Sequence, residues 1–280
     1  ETLEVAGQPD QVDLVVNVEE RPTGNLMIGA GYSSAEKVSF TAAIKQENVL
    51  GSGNYLGLEL NTSRSTRSML VSTVDPYFTV DGISRAIDVF YRTSRPYNSL
   101  GDQYQLATPG ASIRFGVPFS EYDTVFFGIG IERTEIRATT GIPNSYFNYR
   151  EQFGPTSTAL PLTIGWQRDA RDSVLTPSRG RYQRVNLEWS PAGDLRYVRA
   201  NLQYQQYWAL PMRMTLGLNA ELGIGSGTGG KPYPLFKNFY GGGLGSVRVF
   251  EQGSLGIIDP VGAVVCAAAP VGSNALLFAQ

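Results

Sequence analysis

Residues 198–222, VRANLQYQQYWALPMRMTLGLNAEL, contain two alternating runs of apolar and polar residues joined by a short turn. The apolar positions of the two runs are Val198, Ala200, Leu202 and Tyr204, then Met214, Leu216, Leu218, Ala220 and Leu222. The residues between them are mostly polar or charged. Side chains of a strand point alternately to opposite faces, so each run has one apolar face and one polar face. The stretch therefore predicts a pair of antiparallel strands.

The same alternation recurs along the whole chain. Strong runs lie at residues 37–45, 55–61, 125–132, 160–167 and 184–189, and weaker ones near 26–33, 68–75, 86–93 and 111–117. A soluble antiparallel sandwich gives a similar pattern. However, runs of about 9–11 residues are long enough to cross a bilayer when tilted, whereas strands of soluble proteins average about five or six. Nearly every polar face carries Arg, Glu, Asn or Gln, as a water-filled lumen requires. We predict an all-β fold, an antiparallel up-and-down transmembrane β-barrel.

Composition disfavours several functional classes. The 280 residues include no histidine and one cysteine, and the net charge is −2. Without histidine, Ser-His-Asp and Cys-His catalysis and histidine-based metal sites are excluded from this chain. A nearly balanced charge gives no electrostatic attraction to nucleic acid. We therefore expect a protein that is not an enzyme, needs no cofactor or metal, and binds no nucleic acid.

The connections between runs alternate in length. Turn-rich segments such as QENVLGSGN (46–54) and RDARDSVLTPSRG (168–180) alternate with longer excursions at about 95–110 and 138–156, and the longest spans about 225–272. Outer-membrane barrels have short periplasmic turns and long external loops. If the first strand rises from the periplasm, 225–272 becomes external loop six. This parity predicts about twelve strands, the last at Ala275 to Phe278.

Four segments resemble the BamA family of outer-membrane protein assembly factors. PDQVDLVVNVEERPTGN (9–25) is similar to the last strand of the final POTRA domain running into the first barrel strand. QENVLGSGN and RDARDSVLTPSRGRY (168–182) resemble two of the family's periplasmic turns. GSVRVFEQGSLG (245–256) resembles the V-R-G-[FY] motif at the tip of loop six, with Val249 where glycine is usual. The resemblance covers essentially the whole chain.

The resemblance implies a division of the chain and a set of site residues. Residues 1–23 would be the end of the last POTRA domain with its hinge, and 24–280 the first twelve of sixteen barrel strands. The loop-six motif would be Val247, Arg248, Val249 and Phe250, folded back into the lumen. Arg248 would form a salt bridge there, a geometry that suits the arginine fork. Within this chain, Glu188 and Glu221 are its candidate lumen partners.

The resemblance also implies a function. The family folds and inserts nascent outer-membrane proteins, with unfolded barrel substrates, accessory outer-membrane lipoproteins and outer-membrane lipids as partners. A lateral gate would lie at the first barrel strand, which has few large residues to fix its register. Its residues are Leu26, Met27, Ile28, Gly29, Ala30, Gly31 and Tyr32. The alternatives are a TamA-like or two-partner secretion barrel, which share POTRA domains and the loop-six arginine, and a diffusion porin.

Overall fold

The structure, a computed structural model, describes residues 2–4, 12–17, 19, 22–33, 37–95, 104–138, 142–242, 257–260, 268–272 and 275–279. Alternating sequence runs form its strands. In chain order they are β1 (Thr2–Glu4), β2 (Val12–Leu14), β3 (Gly24–Ser33), β4 (Lys37–Gln46), β5 (Tyr55–Thr62), β6 (Thr66–Asp75), β7 (Ser84–Ser94), β8 (Tyr104–Pro118), β9 (Asp123–Ala138), β10 (Thr156–Ala159), β11 (Leu162–Asp169), β12 (Gly180–Ser190), β13 (Tyr197–Leu210), β14 (Met214–Gly227), β15 (Ile257–Pro260), β16 (Ala268–Gly272) and β17 (Ala275–Ala279). One α-helix, α1 (Asn144–Phe153), follows β9.

Twelve of these strands follow one another in a single antiparallel sheet. Its order is β3-β4-β5-β6-β7-β8-β9-β11-β12-β13-β14-β17, and the short strand β10 pairs with residues 132–135 of β9. Each strand is therefore hydrogen-bonded to the next, as an up-and-down arrangement requires. Among the described strands, β3 and β17 form the two edges. The predicted count of about twelve strands and the position of the last one are confirmed.

The register places apolar side chains on one face of the sheet and polar side chains on the other. Leu187 pairs with Ala200 and Ile164, whereas Glu188 pairs with Arg199 and Thr163. Leu187 is 39% exposed, and similar exposure along the apolar rows leaves this face open to lipid. The polar face is the one on which the long loop after β14 lies, because Glu188 bonds to that loop. We call this polar face the lumen face.

Connections of different character lie at the two ends of the sheet. At one end, here called the turn end, the turns are compact and span 47–54, 76–83, 119–122, 170–179 and 211–213. The other end, the loop end, carries α1, β10 and the long connection from β14 to β17. The strand bounds confirm the compact turns at the turn end and the long connections after β7, β9 and β14, but the connections after β5 and β12 at the loop end are also short, so the predicted alternation is confirmed only in part.

A cluster of buried aromatic and aliphatic side chains lies at the loop end. Pro143 precedes α1 and Gly154, with φ of 86°, ends it. Tyr146 and Tyr149, three residues apart on one face of α1, are buried together with Tyr197. The loop after β14 contributes to the same cluster through partly buried residues, so it packs against α1 and the loop-end parts of the strands. These residues are Tyr233, Leu235 and Phe236.

Two details differ from the sequence prediction. Strands β8, β9, β13 and β14 have 14 to 16 residues, longer than the predicted runs, because they continue past the membrane-crossing part to support the loop-end cluster. The long connection, predicted to begin at about residue 225, begins after Gly227 and contains a 3-10 helix at Leu235–Lys237 and the hairpin β15–β16. No helix in the described ranges is long and apolar enough to cross a membrane.

Candidate functional site: an open strand edge and an anchored loop

Strand β3 contains every residue predicted for the lateral gate. It pairs with β4 over ten residues, from Gly24 opposite Gln46 to Ser33 opposite Lys37. All ten of its residues are exposed, and no other described strand pairs with its second side. A strand in this position presents N–H and C=O groups that a further strand can bind.

The middle of β3 has small side chains. A Cβ atom added at Gly29 would have no atom within 4 Å, and at Gly31 it would meet only the Ser39 hydroxyl. Large cross-strand pairs stabilise a sheet and fix its register, and this part of β3 lacks them. The side-chain packing therefore locks this part of β3 only weakly.

The second part of the site is an ion triad in the lumen. Lys237, at the end of the 3-10 helix after β14, places its Nζ atom 2.8 Å from Glu132 Oε2 on β9 and 3.0 Å from Glu188 Oε1 on β12. Strand β11 lies between those two strands, so the lysine bridges the lumen face across it. The side chains of Lys237, Glu132 and Glu188 are 15%, 21% and 23% exposed. This triad fixes the first part of the long loop to the wall.

Tyrosine side chains surround the triad. The Tyr197 hydroxyl donates to Glu188, and the Lys237 ammonium lies 5.5 Å from the centre of the Tyr197 ring. The Tyr233 hydroxyl donates to the Lys237 carbonyl at 2.9 Å. Burial by itself lowers the pKa of Lys237, but the attraction and hydrogen bonds of Glu188 and Glu132 outweigh it, so the pKa is raised above 10.5. Lys237 is therefore charged at neutral pH.

Glycines on the lumen face of β14 receive the same loop. A Cβ atom at Gly223 would lie 2.6 Å from Phe239 Cε1, and one at Gly225 would overlap the Tyr233 ring. The absent side chains thus leave room for two aromatic rings. Arg199 lies over the Phe239 ring at 4.4 Å and adds a cation–π contact. The loop is therefore fixed by packing as well as by charge.

The residues predicted as lumen partners have separate surroundings. Glu188 belongs to the ion triad. Glu221 accepts a hydrogen bond from Gln203 at 3.3 Å and lines a cavity of about 380 Å³ together with Arg199 and loop residues such as Asn238. The loop-six motif, Val247, Arg248, Val249 and Phe250, lies outside the described residues, as does Cys266. The pairing of Arg248 with either glutamate stays a prediction.

Sequence reasoning missed Lys237. The signal was present, because PLFKNFYGGG places a lysine among aromatic residues in a long loop otherwise poor in charge. Attention to the arginine of the later motif left this lysine unassigned. Within the described part of the chain, no group of three metal-ligating side chains is present.

The turn at 170–179 is held by a carboxylate. Asp172 accepts hydrogen bonds from the backbone N–H groups of Ser178 and Arg179, at 2.9 and 3.1 Å, and from the Ser178 hydroxyl. These bonds, the hydroxyl first, lower the pKa of Asp172 to about 2. Ser178 therefore completes the network that closes this turn.

The strand order and the loop folded onto the lumen face correspond to a known family. The Omp85 superfamily domain matches residues 48–278. The chain belongs to the Omp85 superfamily. Relatives of this superfamily with similar sequence include two outer membrane protein assembly factors named BamA. The one from Neisseria meningitidis serogroup B is 37% identical over 268 residues, covering 91% of this chain and 34% of the relative. The one from Nitratidesulfovibrio vulgaris is 28% identical over 254 residues, covering 90% and 31%.

A solved Omp85 structure agrees with the fold. The crystal structure of BamA from Haemophilus ducreyi lacking POTRA domains 1–3 has a TM-score of 0.84 and 25% identity, and covers all of this chain and 56% of its own. The chain spans about a third of the length of the curated relatives. The resemblance to the BamA family, the antiparallel transmembrane barrel fold and the outer-membrane location are therefore confirmed.

Proposed function

We propose that this Omp85 chain is the barrel part of an assembly factor that folds and inserts nascent outer-membrane proteins through a lateral gate at β3. The observation that carries the proposal is the run of small residues in the middle of β3, the first strand of the sheet, because it leaves the edge of this strand weakly locked. An incoming strand gains main-chain hydrogen bonds along such an edge without needing a particular sequence. The relatives' names support the same activity.

The turn end is assigned to the periplasm, and the loop end to the cell exterior. In that orientation a substrate strand reaches β3 from the end where Gly24 begins. Few side-chain contacts would have to be broken for the edge of β3 to accept a strand, since Gly29 and Gly31 have open surroundings. The small residues therefore favour exchange over a permanently closed seam.

The anchored loop disfavours a passive channel. The ion triad and the two rings seated on β14 place the base of the loop against the lumen wall, where a diffusion pore needs free water. A TamA-like or two-partner secretion barrel remains the second candidate, because an anchored loop and an open edge serve protein translocation as well.

The remaining assignments belong to this proposal. Residues 1–23 end the last POTRA domain, and 24–280 are the first twelve barrel strands. Unfolded outer-membrane proteins are the substrates, and accessory outer-membrane lipoproteins and membrane lipids are the partners. The chain has no catalytic role and needs no cofactor.

Cysteine cross-linking tests the gate. In full-length protein with Cys266→Ser, Ile28→Cys on β3 should form disulfides with cysteines at alternate positions of a substrate's terminal strand. Ile129→Cys is the matched control, because Ile129 is an exposed apolar residue on β9, which has neighbours on both sides. Equal cross-linking at Ile28 and Ile129 would rule out β3 as the gate.

A further inference from the structure

The turn end exposes a large apolar side chain at every one of its five described turns. Leu50, Val80, Leu175 and Met212 are at least 90% exposed, and Phe119 is 71% exposed. These residues are called the five apolar tips. Among the described connections at the loop end, the most exposed large apolar residue is Phe147, at 49%. Within the described connections, the apolar tips therefore lie at one end of the sheet.

Two of the tips have an unfavourable backbone conformation. Leu50 has φ of 52° and Met212 has φ of 61°, in the left-handed region that favours Gly or Asn. A leucine or methionine there is less favourable than in ordinary backbone, because its Cβ atom crowds the following carbonyl oxygen. Neither side chain is buried, so packing does not offset that cost. Backbone strain retained at an exposed apolar residue points to a role in binding.

The tips lie beyond the lipid-facing surface. Two ion pairs lie on the apolar, lipid-facing side of the sheet just above the turns: Arg85 with Asp75 at 3.6 Å, and Arg168 with Asp123 at 3.1 Å. Charges of this kind on the lipid side mark the membrane interface, because they are costly at greater depth. The tips project past these charges, at the rim of the lipid-facing surface and not within it.

The spacing of the tips fits an extended polypeptide. Successive turns are two strands apart, which on strands tilted by about 40° gives about 12 Å along the rim. In an extended chain, residues i and i+4 lie on the same face about 13 Å apart. The row also reaches the gate, because the turn that carries Leu50 is bonded to the segment before β3: Glu47 N–H donates to the Thr23 carbonyl at 3.1 Å.

We propose that the five apolar tips form a docking row for extended polypeptide with alternating apolar side chains, and deliver it to the lower end of β3. This inference rests on the proposed function, since such a polypeptide is an unfolded strand of an outer-membrane protein. Single apolar contacts about 12 Å apart bind weakly and release readily. That property suits a surface along which a strand has to move.

Site-specific photo-cross-linking tests the docking row. A photoreactive benzoylphenylalanine replaces Leu50, Val80, Leu175 or Met212, one at a time, in full-length protein held in lipid discs. The probe is a peptide with the sequence of residues 214–224, MTLGLNAELGI, and the control peptide has the same residues with the apolar ones consecutive. All four positions should cross-link the alternating peptide in preference to the control peptide, and position 147 should not. Adducts with lipid alone, with a folded partner alone, or equally with both peptides would overturn the proposal.

A variant without the apolar tips measures how much these side chains contribute to peptide binding. One variant combines Leu50→Asn, Val80→Asn, Leu175→Asn and Met212→Asn. It should fold normally, because asparagine accepts the left-handed backbone at positions 50 and 212. The combined variant should cross-link the alternating peptide at position 119 about tenfold less than wild type, whereas Phe147→Asn should match wild type. An unchanged yield would contradict the docking row. If the same variant with Ile28→Cys still forms disulfides with the substrate strand, the gate at β3 stands without the docking row.

Discussion

Replacing Lys237 with methionine should release the first part of the long loop after β14 from the strands. Methionine keeps most of the side-chain length but removes the charge, which leaves Glu132 and Glu188 facing each other in a largely buried site. Breaking a buried ion pair by removing one partner costs about 3–5 kcal/mol. The cost falls on local opening of the loop, because Lys237 is bonded to β9 and β12 but is part of neither strand.

Hydrogen exchange measures this local opening. The Lys237 N–H donates to the Pro234 carbonyl at 3.0 Å, and the Asn238 N–H to the Leu235 carbonyl at 3.1 Å. Exchange in the peptide covering 233–240 should accelerate by about two to three and a half orders of magnitude, at 1.4 kcal/mol per factor of ten. The strand amides of β12 should exchange as in wild type.

A neutralised triad is the matched control. Lys237→Met combined with Glu132→Gln and Glu188→Gln removes the unpaired charges, so its exchange should return to within about tenfold of wild type. The pKa of Lys237 is raised, so its stabilisation is present below 10.5 and is lost only as pH rises through the higher folded value. Exchange in Lys237→Met equal to wild type would refute the anchoring role. A triple variant as fast as the single one would show that unpaired carboxylate charge is not what opens the loop.

Two further experiments test other parts of the structure. Gly223→Val should displace Phe239 and lower the melting temperature. Gly29→Ala should leave the melting temperature unchanged, because no atom lies within 4 Å of the added Cβ atom. A larger loss of melting temperature in Gly29→Ala than in Gly223→Val would contradict the packing of Phe239 against β14. Asp172→Asn should speed amide exchange at Ser178 and Arg179, and in wild type the turn should hold above about pH 4 and loosen as pH falls toward 2, because the folded pKa of Asp172 is depressed. Exchange at these two amides that does not respond to either change would exclude Asp172 as the group that closes the turn.

Most of the fold was predictable because alternation is a local signal. The rows around Leu202 and Leu216 show which face of each strand meets lipid, and the turn-rich segments give the strand count. Helix α1 was missed because its sequence, NSYFNYREQF, has no apolar stripe; two buried tyrosines hold it against the strands. Its position depends on tertiary contacts that no local pattern reports.

The candidate site was predictable in part. The weak locking of β3 follows from the run of small residues from Gly29 to Gly31. The ion triad does not, since Lys237 lies 105 residues from Glu132 and 49 from Glu188 along the chain. Glu188 lies in a polar row that the sequence shows, but the lysine that it contacts could not be identified from spacing. Long-range charge pairs are set by how the loop folds back.

Assisted folding of an unfolded barrel protein shows whether the full-length protein acts in outer-membrane protein assembly. Full-length protein is placed in lipid vesicles, a urea-unfolded outer-membrane barrel is added, and the folded fraction is followed by its altered gel mobility. We expect faster folding than in empty vesicles. The gain should fall when β3 is blocked. For this, Ile28→Cys in the Cys266→Ser background is linked by a disulfide to a substrate-strand peptide. Folding at the rate of empty vesicles, together with a large and steady ion conductance, would contradict the account and identify a passive channel.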